Sequence, residues 1–337
     1  MRDVIRVFKL GFPWETQDPF LFCAHHADAY PKGNANLGPD ASLNGRRLGE
    51  DFVLKDGWRM YHGQNVPGFP YHPHRGFETI TITTEGTVDH ADSLGAYGRF
   101  GDGDVQWMTA GKGVQHSEMF PLLDKQNNNP LEMFQIWLNL PRKDKMVDPH
   151  YAMIWSQHIP KIVERDESGK STQLTIISGG YKNTLSPPCA PNSWANESSH
   201  EVRVWMLKME ANAEWVLPKS DGQVNRTLFF YSGKQLQVSD VEVASYSGVI
   251  LSSSRDIILK NGGEEAYLLF LQGQPINEPV LQYGPFVMNS EDEIRQAFAD
   301  YQKTQFGGWP WDGPDPVHGE EKKHFAVFAN GLREEGA

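Results

Sequence analysis

GFETITITTEGTVDH, residues 76–90, decides the fold class. Within it Thr79-Ile80-Thr81-Ile82-Thr83 alternates with period two, so in an extended chain the isoleucines share one face and the threonines the other. Gly86 then supplies a turn signal that ends the alternating run. GDGDVQWMTAGKGV (101–114) and LEMFQIWLNLP (131–141) are further short β-rich runs set off by turn residues. That spacing predicts an antiparallel sandwich or barrel.

The 337 residues exceed one ordinary compact domain, so two are expected, each able to bury its own core. KDKMVDPHYAMIWSQHIPKI (143–162), with prolines and mixed polarity, reads as an inter-domain connector. Beyond it HEVRVWMLKME (200–210), RTLFFYSGKQLQV (226–238), GVILSSS (248–254) and EEAYLLFLQG (264–273) resume the β pattern, while CAPNSWANESSH (189–200) reads as a long loop. One helix is expected, in SEDEIRQAFADYQ (290–302). Ser290 and Glu293 have capping-box spacing, and Ile294, Ala297, Phe298 and Tyr301 recur at helical intervals. Gly307-Gly308-Trp309-Pro310-Trp311 ends it, and the tail beyond is expected to be poorly ordered apart from FAVF (325–328). The expected division is 1–141 for a first β domain, 142–288 for a second, and 289–337 for helix and tail.

The halves overlay loosely when TITITTEG, ending at Gly86, is set beside TLFFYSG, ending at Gly233. His72 and His74 then fall opposite Lys219 and Asp221. Matching GDGD before Val105 to YSG before Val249 puts Lys260 and Gly262 opposite His116 and Glu118. If the halves are duplicates, only the first carries a set of ligand-type residues.

Bulk properties narrow the function classes. Hydrophobic residues at 39% and charged residues at 22%, with 18 Phe, 10 Trp and 11 Tyr, describe an ordered globular chain. A formal charge of −12 and the lack of any Lys/Arg run speak against direct nucleic-acid binding. MRDVIRVFKLGFPWETQDPF (1–20) has charges through its apolar stretch and does not read as a signal peptide. No apolar run has transmembrane length, so no membrane partner is expected. Cys23 and Cys189 stand far apart, which fits reduced, inert thiols and a cytoplasmic location rather than a disulfide or thiolate site.

The chemistry concentrates in two pairs. His72 and His74 are two apart, so on an extended backbone both imidazoles project from one face while Pro73 turns away. His116 and Glu118 repeat the spacing. A lone pair would read as polar surface. Two such pairs, if their segments lie side by side, would converge three neutral imidazoles and a carboxylate, a set suited to a divalent first-row metal with positions left open. Pro73 also places the first pair on a strand edge or bulge.

The fuller strings, HPHRGFETITITTEGTVDHADSLG (72–95) and GDVQWMTAGKGVQHSEM (103–119), resemble the pirin family of the cupin superfamily. The likeness extends to DPFLFCAHH (18–26), QYGPFVMNSEDEIRQAF (282–298) and QFGG (305–308), nearly the whole chain. It implies an all-β bicupin: two tandem antiparallel β-barrels of the double-stranded β-helix or jelly-roll type, followed by a C-terminal helix. It also implies one divalent metal per chain, usually iron(II), held in the N-terminal barrel by His72, His74, His116 and Glu118. The same ligands accept manganese, nickel, copper or zinc. The wider cupin pattern, with a Glu four positions after HxH, nominates Glu78 instead. By strand parity Glu78 shares a face with His72 and His74, so it is either an alternative ligand or a group that orients an imidazole.

The resemblance implies two functions. One is a quercetin 2,3-dioxygenase-type oxidoreductase, in which a small aromatic substrate such as a flavonol is opened by dioxygen to a depside and carbon monoxide, with Glu118, or Glu78 if it is not a ligand, as the base. The other is a non-enzymatic, metal- or redox-responsive regulator that binds a protein partner, a transcription factor or a metabolic enzyme. A monomer is the expected state in both. The long 189–200 region and the NNNP at 127–130 depart from typical pirins. His25, His26, His62 and His90 read as loop or surface histidines, Asp92 and Ser93 as turn residues, and Arg75 as a rim or solvated residue beside the ligands. The glycines of GAYGRFG (95–101) do not open a helix as a dinucleotide loop must. No nucleophile motif supports hydrolysis.

Overall fold

A computed structural model describes residues 2–220 and 222–336. The chain forms two compact units, each discontinuous in sequence: 1–23 with 158–277, and 24–157 with 278–337. The divisions therefore fall at 23, 157 and 277 rather than at 141 and 288. Val4–Lys9 pairs antiparallel with Ser247–Leu251, which draws the N-terminal segment into the later unit. The expected connector contains His150–Ile154, which pairs with Val105–Thr109 and so completes the earlier one.

In the unit carrying the histidine pairs, one sheet has the strand order His150–Ile154, Val105–Thr109, Phe77–Glu85, Asn129–Asn139, Phe20–Tyr30. The other runs Arg333–Glu335, Phe325–Val327, Tyr97–Gly101, Thr87–Asp92, Val114–Met119, Gly68–His74. These are open, jelly-roll-compatible sheets, not closed barrels. The alternation read in 79–83 holds: Ile80 pairs with Trp107 and Ile136, Thr81 with Gln106 and Gln135, and both faces are buried. Tyr30, Trp58, Met60, Phe100, Phe120 and Tyr151 belong to one buried cluster of this unit.

The other unit has a seven-stranded and a four-stranded sheet. Its Asn225–Ser232 strand lies between Ser247–Leu251 and Ala266–Gly273, as Phe77–Glu85 lies between Val105–Thr109 and Asn129–Asn139. The halves thus share a strand plan. The counterpart of the Gly68–His74 and Val114–Met119 pair is Glu214–Leu217 with Ile257–Asn261, where the buried residues include Trp215, Leu217, Ile257 and Leu259. They join Leu174, Trp205, Phe230 and Leu268 in one apolar core. Lys219 lies past the end of its strand, Lys260 pairs with Glu214, and Asp221 lies outside the described residues.

The helix spans Glu291–Thr304, with Ser290 Oγ accepting from the Glu293 amide at 3.4 Å and Ile294 and Ala297 buried. The tail is ordered in FAVF as expected, and in the stretch before it against expectation. Phe325–Val327 adds to the Tyr97–Gly101 strand, and Arg333–Glu335 pairs with Phe325–Val327. Arg99, paired with Asp89 through two 2.6 Å bonds, donates to the carbonyls of Gly319 and Glu321. A tail without periodicity is fixed here because its backbone oxygens are satisfied by a buried guanidinium.

Candidate metal centre

Strand register brings the two pairs together. His72 stands directly opposite His116 in the Gly68–His74 and Val114–Met119 ladder, with a bulge between Phe69 and His72, and Gly68–His74 is an edge strand, as Pro73 predicted. Nitrogen atoms of His72, His74 and His116 lie within 4.8 Å of one another. Glu118, two residues beyond His116 on the same face, has Oε2 3.8 Å from His116 Nε2.

The donor set fits a metal. His72 Nδ1 donates to the Pro70 carbonyl at 3.0 Å and His74 Nδ1 to that of Pro285 at 3.4 Å, which leaves each Nε2 as the free lone pair. His74 Nε2 and both ring nitrogens of His116 are buried without a hydrogen-bond partner. Buried polar atoms in that condition call for a ligand. Burial lowers the pKa of His72 to about 4, and those of His74 and His116 further below the ordinary histidine value, each helped by neighbouring imidazoles. The rings are therefore neutral at pH 7, the form that binds metal.

Glu118 is buried and accepts from Gln135 Nε2 at 2.5 Å and Thr81 Oγ1 at 3.1 Å. Burial raises its pKa, opposed by His90 and by those two hydrogen bonds. Glu78 lies elsewhere. Its Oε1 accepts from Thr109 Oγ1 at 2.7 Å and Trp107 Nε1 at 3.2 Å, on the isoleucine face of its strand. The parity count from His74 fails because Gly76, at φ 88°, breaks the strand and restarts the alternation.

Three histidines read as surface residues are buried. His90 pairs with Glu118 across the ladder, its Nε2 is 3.2 Å from Asp92 Oδ2, and its ring is 5.6 Å from that of His116. Asp92 closes the turn as well, accepting the amides of Leu94 and Ala96. His26 bonds Tyr61, whose hydroxyl donates to Asp28. His25 stacks on Phe134 and approaches Glu132 at 3.2 Å. Only His62 is exposed among the four. The signal was present: Val88, His90 and Asp92 alternate on one strand face, as do Ala24, His26 and Asp28. Arg75 is buried, not solvated, and pairs with Asp300. Phe77 and Trp137, stacked at 3.9 Å, contact His74 and give the site an apolar wall.

Two jelly-roll units, one with a filled core and one with a three-histidine cluster, define a bicupin with a single candidate metal centre among the described residues. Family models agree: the pirin model matches residues 14–138 and the pirin C-terminal cupin domain matches 204–307. A pirin-like protein of Caulobacter vibrioides is 36% identical over 239 residues, 71% of this chain and 80% of that one. A pirin-like protein of Solanum lycopersicum is 36% identical over 246 residues, 71% and 77% of the two chains. The crystal structure of quercetin 2,3-dioxygenase from Acinetobacter baumannii superimposes with a TM-score of 0.71 at 28% identity, covering 91% of this chain and 99% of that one. The chain belongs to the pirin family.

Proposed function

We propose that this pirin is a metal-dependent oxidoreductase of the quercetin 2,3-dioxygenase type, with iron(II) held by His72, His74, His116 and Glu118. The observation that carries the reading is the convergence of three neutral imidazoles, two buried and one half-buried, beside a buried carboxylate. The likeness to a solved quercetin 2,3-dioxygenase supports the substrate class. When bound, a redox-capable divalent metal supplies the Lewis-acidic, oxygen-activating chemistry that ring opening requires.

The chain's own residues do the rest. The carbonyls of Pro70 and Pro285 fix the tautomers of His72 and His74. Gln135 and Thr81 orient Glu118, whose raised pKa suits it to take the proton of a flavonol hydroxyl. Phe77 and Trp137 offer a flat apolar surface to an aromatic ring. The balanced reaction consumes one flavonol and one dioxygen and yields a depside and carbon monoxide. Protein loaded anaerobically with iron(II), then given quercetin and oxygen, should bleach the flavonol absorbance. Full metal occupancy without turnover would reject the activity.

A second reading, a metal-responsive protein that binds another protein, draws support from the apolar groove of Leu281, Tyr283, Ile294 and Phe298, flanked by Glu291 and Arg295. Tyr283 is 67% exposed there. Copurification from the native source, with and without metal, separates the two.

A further inference from the structure

Each histidine of the cluster has a sequence neighbour gripped by the C-terminal segment. Beside His72, the Tyr71 amide donates to the Pro314 carbonyl at 2.7 Å and the Tyr71 ring stacks on Trp309 at 4.9 Å. Beside His74, Arg75 Nη1 donates to Asp300 Oδ2 at 2.8 Å, its guanidinium lies 4.6 Å from the Phe306 ring centre, and its carbonyl accepts the Val287 amide. Beside His116, the Gln115 side chain accepts from Tyr301 Oη at 2.8 Å and donates to the carbonyls of Gln305 and Gly308 at 2.7 and 3.1 Å. Gln115 is fully buried and Arg75 nearly so. His74 itself bonds the Pro285 carbonyl.

These contacts come from one stretch, residues 285–314, comprising a strand, the Glu291–Thr304 helix and the turn after it. They flank all three histidines, yet none of the residues making them carries a ligand-type side chain into the cluster. A frame that spaces ligands favours the metal-bound geometry, and by linkage the metal must in turn favour the docked frame.

We propose that residues 285–314 are a positioning clamp for the metal centre, so that metal affinity and docking of the C-terminal helix are coupled. The inference rests on the proposed metal site but not on the reaction. Tyr301, Asp300, Gln115 and Arg75 are its positioning residues.

The test uses the full chain with cobalt(II) as the probe. Tyr301→Phe and Asp300→Asn each remove one grip without removing a ligand. Both should weaken cobalt affinity, read by chelator competition, by about tenfold or more, and shift the cobalt ligand-field spectrum. Asp300→Glu, which keeps the charge, should restore part of the loss. Amides of 291–304 in the unaltered protein should exchange more slowly with cobalt than without. Unchanged affinity and spectrum in both variants, with helix exchange indifferent to metal, would overturn the clamp. Protein that binds no cobalt would overturn the metal reading and the clamp together, whereas iron(II)-loaded protein that turns over no quercetin rejects only the reaction.

Discussion

Glu118 and Glu78 are both fully buried carboxylates, and their hydrogen bonds assign them different work. Glu118→Ala should lower metal affinity more than tenfold by chelator competition. Glu78→Gln should leave affinity unchanged but cost roughly 1–3 kcal/mol in urea unfolding, because it disturbs the buried acceptor of Thr109 and Trp107. A second expectation concerns pH. Burial pulls His26 down to about 3 and His72 to about 4, with His74 and His116 also lowered. Unfolded histidines titrate near 6.5, so between about pH 4 and 6.5 the unfolded chain binds more protons than the folded one, and stability falls as pH falls through that window. The Tm of metal-free protein should drop from pH 7 to pH 4, and His26→Gln, which can still donate to Tyr61, should flatten the drop. The two pairs, His72 with His74 and His116 with Glu118, were legible as same-face pairs because a period of two needs no tertiary knowledge. Glu78 was not resolved, since one glycine with positive φ resets the parity on which the count relied.

At the scale of elements, that glycine is also a packing requirement. A Cβ on Gly76 would meet the Val287 carbonyl oxygen at 2.0 Å, in a conformation that side chains disfavour. Gly76→Ala should therefore cost roughly 3 kcal/mol, seen as a lower urea midpoint, and should loosen the neighbouring His74. The helix was readable from its cap and apolar spacing, and it forms where expected. The tail beyond it was not. Its order comes from side chains far away in sequence, notably Arg99, and nothing in residues 309–324 announces the acceptors at Gly319 and Glu321. His150–Ile154 escaped notice for a related reason: an edge strand flanked by prolines looks like a connector until its partner is known.

At the scale of the molecule, the duplicated strand plan carries two different interiors. The second unit fills its core with Leu174, Trp205, Leu207, Phe230, Leu259 and Leu268, so Phe230→Ala should cost about 3–5 kcal/mol on unfolding while the metal bound per chain, by elemental analysis, stays the same. The loose overlay of the halves identified the equivalent central strands and set Lys260, on the counterpart strand, opposite His116, but it slipped at the His72 and His74 strand, where the loop to the next strand is longer in the second half. The discontinuous make-up of both units bears on how the protein is made. Val4–Lys9 leaves the ribosome first, yet its partner Ser247–Leu251 arrives only after most of the unit with the histidine cluster has been translated, and that unit in turn waits for residues 278–336. At about 5–20 residues per second the nascent chain spends tens of seconds with an unpaired edge at each end of the job. A gene cut at the midpoint would encode neither unit whole, and coexpressed fragments would have to find each other before either could close.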